Sequence, residues 1–480
     1  MTEQCGISHW PDAIKIEEKM ERLMADRVYH LKPEAMKRYL TYFETCCAGS
    51  KRMTDEAKQV IPGGVQHNLA FNYPFPLAIT KAEGAYLFDV DGNRYVDYLQ
   101  AGGPTILGSN YLPVQEKAIE VIRECGPCTG LFHEYEMKLA KTIHHYMPWV
   151  EMYRSLASGT EADMVAIRTA RTYTGKKKII KVGGAYHGWS DQLVYSLHIP
   201  FTKRLEAHGI PEECVAHTQE IAPNDLSGLR RLLQENRENG GTAAVLVEPI
   251  GAESGTRMAT RTFNQEVRKL CDEFGALLIF DEVVTAFRLG MGGAQGYFDV
   301  RPDLTVFGKI VSGGYPAAGG LGGRREIMNC LGAGVSVGKP RAYVGGTLSA
   351  NPLSCAAGYY AIEEIARTGA AAKAGRSGDR LCEGIQTLID AHKLPFVVWN
   401  IGSIVHFEVA GMMYLSAKDP DIASKLAERK QAVAEFGAAL TANGVITLAG
   451  SRIYTSMADN EDTLDQTLRA FDEVFSNIAL

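Results

Sequence analysis

The sequence predicts an α/β protein: a large domain with a mainly parallel sheet covered by helices, flanked by a small α+β domain built from both chain ends. Three observations carry this prediction. From about Met152, short apolar strands alternate with helical segments at the spacing of βαβ units. Earlier, PLAITKAEGAYLFDVDGNRYVDYL alternates apolar and polar residues around Asp91-Gly92, a hairpin signal. After the Gly-rich stretch Gly313–Gly323, helices mix with only two strand-like runs, FVVWNIGSIVHFEV and VITLAGSRIYTSM.

In chain order, residues 1–58 read as a helical arm, with charged and apolar residues interleaved in IKIEEKMERLM and PEAMKRYLTYF, stopping at Pro62-Gly63-Gly64. Residues 59–110 hold the hairpin segment of the small domain. Residues 111–365 form the large domain, with strands expected at YRSLA, KIIKVGG, AAVLVEP, ALLIFDEV and DLTVFGK, and helices at TEADMVAIRTARTYTG and FNQEVRKLCDEFG. Residues 366–480 complete the small domain.

Composition narrows the function. Of 480 residues, 46% are apolar and 22% charged, the mixture of an ordinary globular protein. Fifty basic against 56 acidic side chains leave a net charge of −6, dispersed along the chain, so no footprint for nucleic acid or an anionic membrane is visible. The N-terminus lacks an apolar signal core, and runs such as Thr242–Val247 are far too short to span a membrane. Ten scattered cysteines in so long a chain fit a reducing compartment, and a cytoplasmic location is expected. The 49 glycines exceed the usual ~7% and suggest close backbone approaches to a small ligand.

Five segments offer chemistry. Ser158-Gly159-Thr160-Glu161 stands where a strand gives way to a helix, so its hydroxyls and free N–H groups can hold a phosphate; it is also an ordinary helix cap. Asp281 ends the apolar strand Ala276–Phe280, where an acid faces the ligand crevice of a parallel sheet, or simply caps the next turn. Lys309 ends DLTVF just before the glycines; partial burial there favours a nucleophilic amine, whereas most lysines are solvated. Tyr186 and His187, after KIIKV, offer a ring to stack on a planar ligand, and Thr347 offers a hydroxyl to a phosphate.

Other chemistries fail. Gly332–Lys339 looks like a nucleotide-binding loop, but Ala333 and Pro340 stand where that loop needs Gly and Ser or Thr. Cys125-Gly-Pro-Cys128 follows a helix rather than a strand, and with His133 gives at most three ligands, so neither a redox pair nor a metal site is expected.

Taken in order, SGTEA, GGAYHGW, VEPIGAESG, LLIFDEVVTAFR, PDLTVFGKIVSGG and GGTLSANP resemble the class III branch of pyridoxal 5'-phosphate (PLP) enzymes, in its glutamate-1-semialdehyde aminomutase-like group, from about Pro62 onward. The resemblance implies the fold type I PLP-transferase architecture. It implies a Schiff base on Lys309, Asp281 beside the pyridine nitrogen, and Val283 and Tyr186 on the two ring faces, with His187 nearby. It further implies Ser158, Gly159 and Thr160 around the phosphate, Glu248 toward the substrate, and a homodimer in which Thr347 reaches the neighbouring subunit's cofactor.

The chain departs from the aminomutase pattern where substrate is expected. Gln66-His67 replace a Ser-Ser pair after PGGV, Gly102 replaces a Trp, and Ser451-Arg452 stand where a Glu occurs. His67, Gly102 and Arg452 are therefore candidate substrate residues, Arg452 as a fork for a carboxylate or as a plain ion-pair partner. The expected activity is an aminotransferase acting on an ω-, β- or acidic amino acid or amine with a 2-oxo acid acceptor. An aminomutase, an ammonia-lyase and a cofactor-binding scaffold are the alternatives.

Overall fold

The computed structural model describes residues 5–70, 72–128, 130–334 and 340–479; most of the rejected loop Gly332–Lys339 lies outside them. The strands run β1 (Ile79–Glu83), β2 (Tyr86–Asp89), β3 (Arg94–Asp97), β4 (Met152–Leu156), β5 (Lys178–Val182), β6 (Thr218–Ile221), β7 (Thr242–Val247), β8 (Arg257–Met258), β9 (Leu277–Asp281), β10 (Leu304–Gly308), β11 (Gly319–Gly323), β12 (Val397–Ile401), β13 (Ile404–Glu408), β14 (Val445–Ile446) and β15 (Arg452–Tyr454). Among the described residues two compact units emerge: residues 112–369 with Cys5, and residues 6–111 with those from 370 onward. The small unit is thus built from both ends of the chain.

In the first unit seven strands pair in the order β4-β11-β10-β9-β7-β5-β6. All neighbours are parallel except β11, which runs antiparallel to β4 and β10. β7, β9 and β10 are buried along their whole length, which is why their sequences are near-continuous apolar runs rather than alternating ones. The helix Gly159–Thr174 lays Ala162, Val165, Ala166 and Ala170 on the sheet, and the core there is completed by Leu246, Ile279, Val306 and Leu321.

β11 lies at the end of the Gly-rich stretch Gly313–Gly323, where no strand was expected. Its sequence GGLGG has almost no strand propensity. Space decides instead: a Cβ at Gly320 would lie 2.2 Å from Tyr153 Oη, and one at Gly319 would lie 2.3 Å from the Ser158 carbonyl oxygen. The strand exists because only glycine fits between its neighbours. β6, TQEI, was likewise not expected; it pairs with β5 at the sheet edge.

The second unit carries two further sheets, β1-β2-β3-β14 and β12-β13-β15. Asp91, at the expected hairpin turn, accepts from the Gly49 and Ser50 amides at 2.6 and 2.9 Å. The helices Ala13–Ala25, Pro33–Cys46 and Ala48–Ala57, read as an appended arm, belong to this unit, burying Met20, Leu23, Tyr39 and Phe43. At the other end, Gly369 closes the helix Pro352–Thr368 with φ +64°, where the chain passes from one unit to the next.

Candidate active site

The site forms at the carboxyl ends of the central strands of the first unit. Asp281 is the last residue of β9, and Lys309 follows β10, its parallel neighbour. Of the two acids in Asp281-Glu282, the second is committed to structure. Glu282 is fully buried and accepts from the Ala294 and Gln295 amides at 2.7 and 2.9 Å and from Thr285 Oγ1 at 2.8 Å. Asp281 is buried too but makes fewer hydrogen bonds: Oδ1 accepts from the Val283 amide at 3.0 Å, and Oδ2 lies 2.7 Å from His187 Nδ1.

Burial lowers the basicity of His187, against the opposing pull of Asp281, so the ring is neutral with Nδ1 donating. Its Nε2 is buried without a hydrogen-bond partner among the described residues. Lys309 is half-buried and has φ +49°, the left-handed region that costs a non-glycine residue energy and clusters at functional sites.

Val283 is seated between two glycines. A Cβ at Gly159 would stand 2.9 Å from Val283 Cγ2, and one at Gly308 would stand 2.8 Å from Cγ1. Ser158 caps the helix Gly159–Thr174, its Oγ accepting from the Glu161 amide at 3.2 Å, while Glu161 accepts from the Ala157 amide at 2.9 Å. The amides of Gly159 and Thr160 are left at the positive end of a 16-residue helix. Gly188, with φ +79°, presses on Thr160, for a Cβ there would fall 2.3 Å from Thr160 Oγ1.

Between β5 and this glycine, Tyr186 is partly exposed and its ring lies nearly parallel to that of His198, 15° apart with centroids at 6.3 Å. Its amide donates to Glu248 Oε1 at 3.0 Å, and Glu248 also accepts from the amides of Glu253 and Ser254. Burial, with Glu253 and Asp281 nearby, pushes Glu248 up to about 8 despite these donors.

Two residues escaped the sequence reading. Lys181 is fully buried, donating to the carbonyls of Ala185, Leu193 and Tyr195 at 3.0, 3.2 and 2.9 Å, and so shapes the loop that bears Tyr186 and His187. Burial brings it down to about 8. Asp163, one turn into the helix, is buried beside Asp281 and His187. The available signal was a charged residue on a stripe otherwise made of Ala162, Ala166, Ile167 and Ala170.

This geometry is what a planar, phosphorylated cation-bearing ring requires: a helix start for the phosphate, a carboxylate for a protonated nitrogen, and an amine on the adjacent strand. A profile of the family described as aminotransferase class-III matches residues 69–474. The chain belongs to the class III aminotransferases. It is 37% identical over 445 residues to a glutamate-1-semialdehyde 2,1-aminomutase of Lachnoclostridium phytofermentans, covering 89% of this chain and 99% of that protein. It resembles the crystal structure of an omega-transaminase from Sphaerobacter thermophilus with a TM-score of 0.80 and 27% identity, over 91% of this chain and 99% of that one. The PLP form of the FumI protein from Sphingopyxis sp. MTA144 matches with a TM-score of 0.74 and 25% identity, over 89% and 95% of the two chains.

The cofactor of this family member is PLP. The residues present fit it on their own evidence, since Val283 has a cradle made of two glycines, the helix start at Gly159 suits a dianion, and Asp281 has acceptor capacity to spare. As a class III enzyme it acts on small amine and oxo-acid substrates. Among the described residues, no helix is long and apolar enough to cross a membrane.

The remaining sequence candidates are placed as follows. Thr347 is exposed on its own chain. His67, Gly102 and Arg452 all belong to the second unit. His67 is exposed and its Nδ1 accepts from the Leu69 amide at 3.1 Å. Gly102 has φ +84° after two residues that also have positive φ, a tight bend that a Trp would not adopt readily. Arg452, in β15, is buried, and its charge opposes the burial that nevertheless pushes the Glu408 carboxyl up to about 7. Cys125 and Cys128 are free thiols.

Proposed function

We propose that this protein is a PLP-dependent aminotransferase that moves an amino group from an ω-, β- or acidic amino acid, or an amine, to a 2-oxo acid. When bound, PLP supplies an aldehyde that captures amines covalently and a protonated ring that draws electrons from the bond being broken. Lys309 anchors the cofactor, and its released amine takes the proton from the amine-bearing carbon of the substrate and later returns one. Asp281 keeps the proton on the ring nitrogen, with His187 donating to the same carboxylate. Val283 and Tyr186 cover the two ring faces. Ser158, Gly159 and Thr160 hold the phosphate, joined in a homodimer by the partner subunit's Thr347. Glu248 ties the Tyr186 amide to the segment at residues 253–254 on the substrate side.

The observation that supports transfer over internal shift is the altered set at Gln66-His67, Gly102 and Ser451-Arg452, where the aminomutase pattern carries Ser-Ser, Trp and Glu. Loss of that acidic group removes a charge suited to semialdehyde chemistry. The 37% identity to an aminomutase favours the second reading, in which the amino group returns to the same carbon skeleton. A panel of amines and β-amino acids, each with 2-oxoglutarate or pyruvate, separates the outcomes. Transfer predicts one new amino acid per amine consumed. Isomerised product without an acceptor indicates a mutase, and ammonia without an acceptor indicates a lyase.

A further inference from the structure

Asp163 is an acid for which the chemistry above has no task. It is 1% exposed on the sheet-facing side of the helix Gly159–Thr174, and its Oδ1 has no hydrogen-bond partner among the described residues. Buried polar atoms ordinarily have one. One oxygen of Asp163, one of Asp281 and a ring nitrogen of His187 all lie within 4.8 Å of one another.

We propose that Asp163 is a positioning residue for Asp281, its carboxyl group supplying the donor that fixes the Asp281 carboxylate toward the pyridine nitrogen of PLP. The inference rests on the assignment of Asp281 to that nitrogen. A carboxylate offers about four lone-pair sites. At Asp281, one is taken by the Val283 amide and one by His187. A donor from Asp163 and one from the ring nitrogen complete the set.

Charge points the same way. The ionisable groups around Asp163 are Asp281 at the end of β9, Glu248 after β7, His187 in the loop and Lys181 on β5. Lys181 is the only cation among them, and it is spent on three backbone carbonyls. Burial, then the charges of Asp281 and Glu248, hold Asp163 well above the usual carboxylate range. It therefore keeps its proton and can donate, leaving Asp281 as the anion that meets the ring cation.

The test uses the full-length holoenzyme and reads two quantities: the dissociation constant of PLP, and the pH midpoint of the visible cofactor band. Asp163→Ala removes the donor, and is expected to weaken PLP binding roughly tenfold or more and to shift the midpoint. Asp163→Asn keeps a neutral donor of the same shape and is expected to restore both to within about twofold of the parent. Two results overturn the proposal: an Asn variant as damaged as the Ala variant, or an Ala variant that folds with both quantities unchanged. If the Ala variant does not fold, the Asn variant alone decides. Asp281→Ala separates the two levels of the argument. No change of the midpoint in that variant removes both the Asp281 assignment and this inference, whereas a change there with none at Asp163 removes this inference alone.

Discussion

His187 Nδ1 stands 2.7 Å from Asp281 Oδ2, with both side chains enclosed, and the contact ties the loop after β5 to the end of β9. A neutral imidazole donating to this carboxylate leaves Asp281 charged and aimed. Asp281→Asn is therefore expected to lower kcat by about 10²–10³, because an amide does not hold a cation on the ring nitrogen. His187→Asn, which keeps a donor near the same place, is expected to cost less. Single-turnover rates of the two variants with one amine check the order; equal losses would contradict it.

The glycines of β11 make a prediction about stability. Gly320→Ala drives a methyl group into Tyr153 Oη, and Gly319→Ala drives one into the Ser158 backbone. Each is expected to cost about 1–3 kcal/mol or more, measured by denaturant unfolding. Trimming Tyr153 to Leu relieves the first clash but not the second. Rescue of both, or of neither, would show that the strand is not held by these contacts.

Stability also depends on pH through the second unit. Asp459 is half-buried with its Oδ1 enclosed, and desolvation of the carboxyl pushes it up to about 7, although it accepts from the Ser456 amide at 2.6 Å. The ordinary value is 3.8, so between about pH 4 and 7 the folded chain holds a proton that the unfolded chain gives up. Its contribution is full below that window and is lost as pH rises through 7. Asp459→Asn is expected to flatten the fall in unfolding free energy from pH 5 to pH 8 by on the order of 1–3 kcal/mol. An unchanged slope would place the titration elsewhere, beginning with Asp97, which burial raises to about 6.

Strands β9 and β10, and with them Asp281 and Lys309, were legible because a strand covered on both faces writes an apolar run that stops where the ligand crevice begins. β11 was not, because its glycines answer to Tyr153 and Ser158, which lie far away in sequence. Asp163 and Lys181 were hidden for a related reason. A buried charge is explained only by the groups around it, and those groups come from four separate strands and loops. The small unit's two-ended construction was visible in outline, but the helices at residues 13–57 read as an arm, since their amphipathic faces do not say what they bury against.

Reduction of the holoenzyme with borohydride, followed by peptide mapping, tests the central claim most directly. The account predicts that the cofactor becomes fixed to the peptide carrying Lys309, and that Lys309→Ala leaves no peptide labelled. Label on any other lysine, or none on the parent protein, would contradict it.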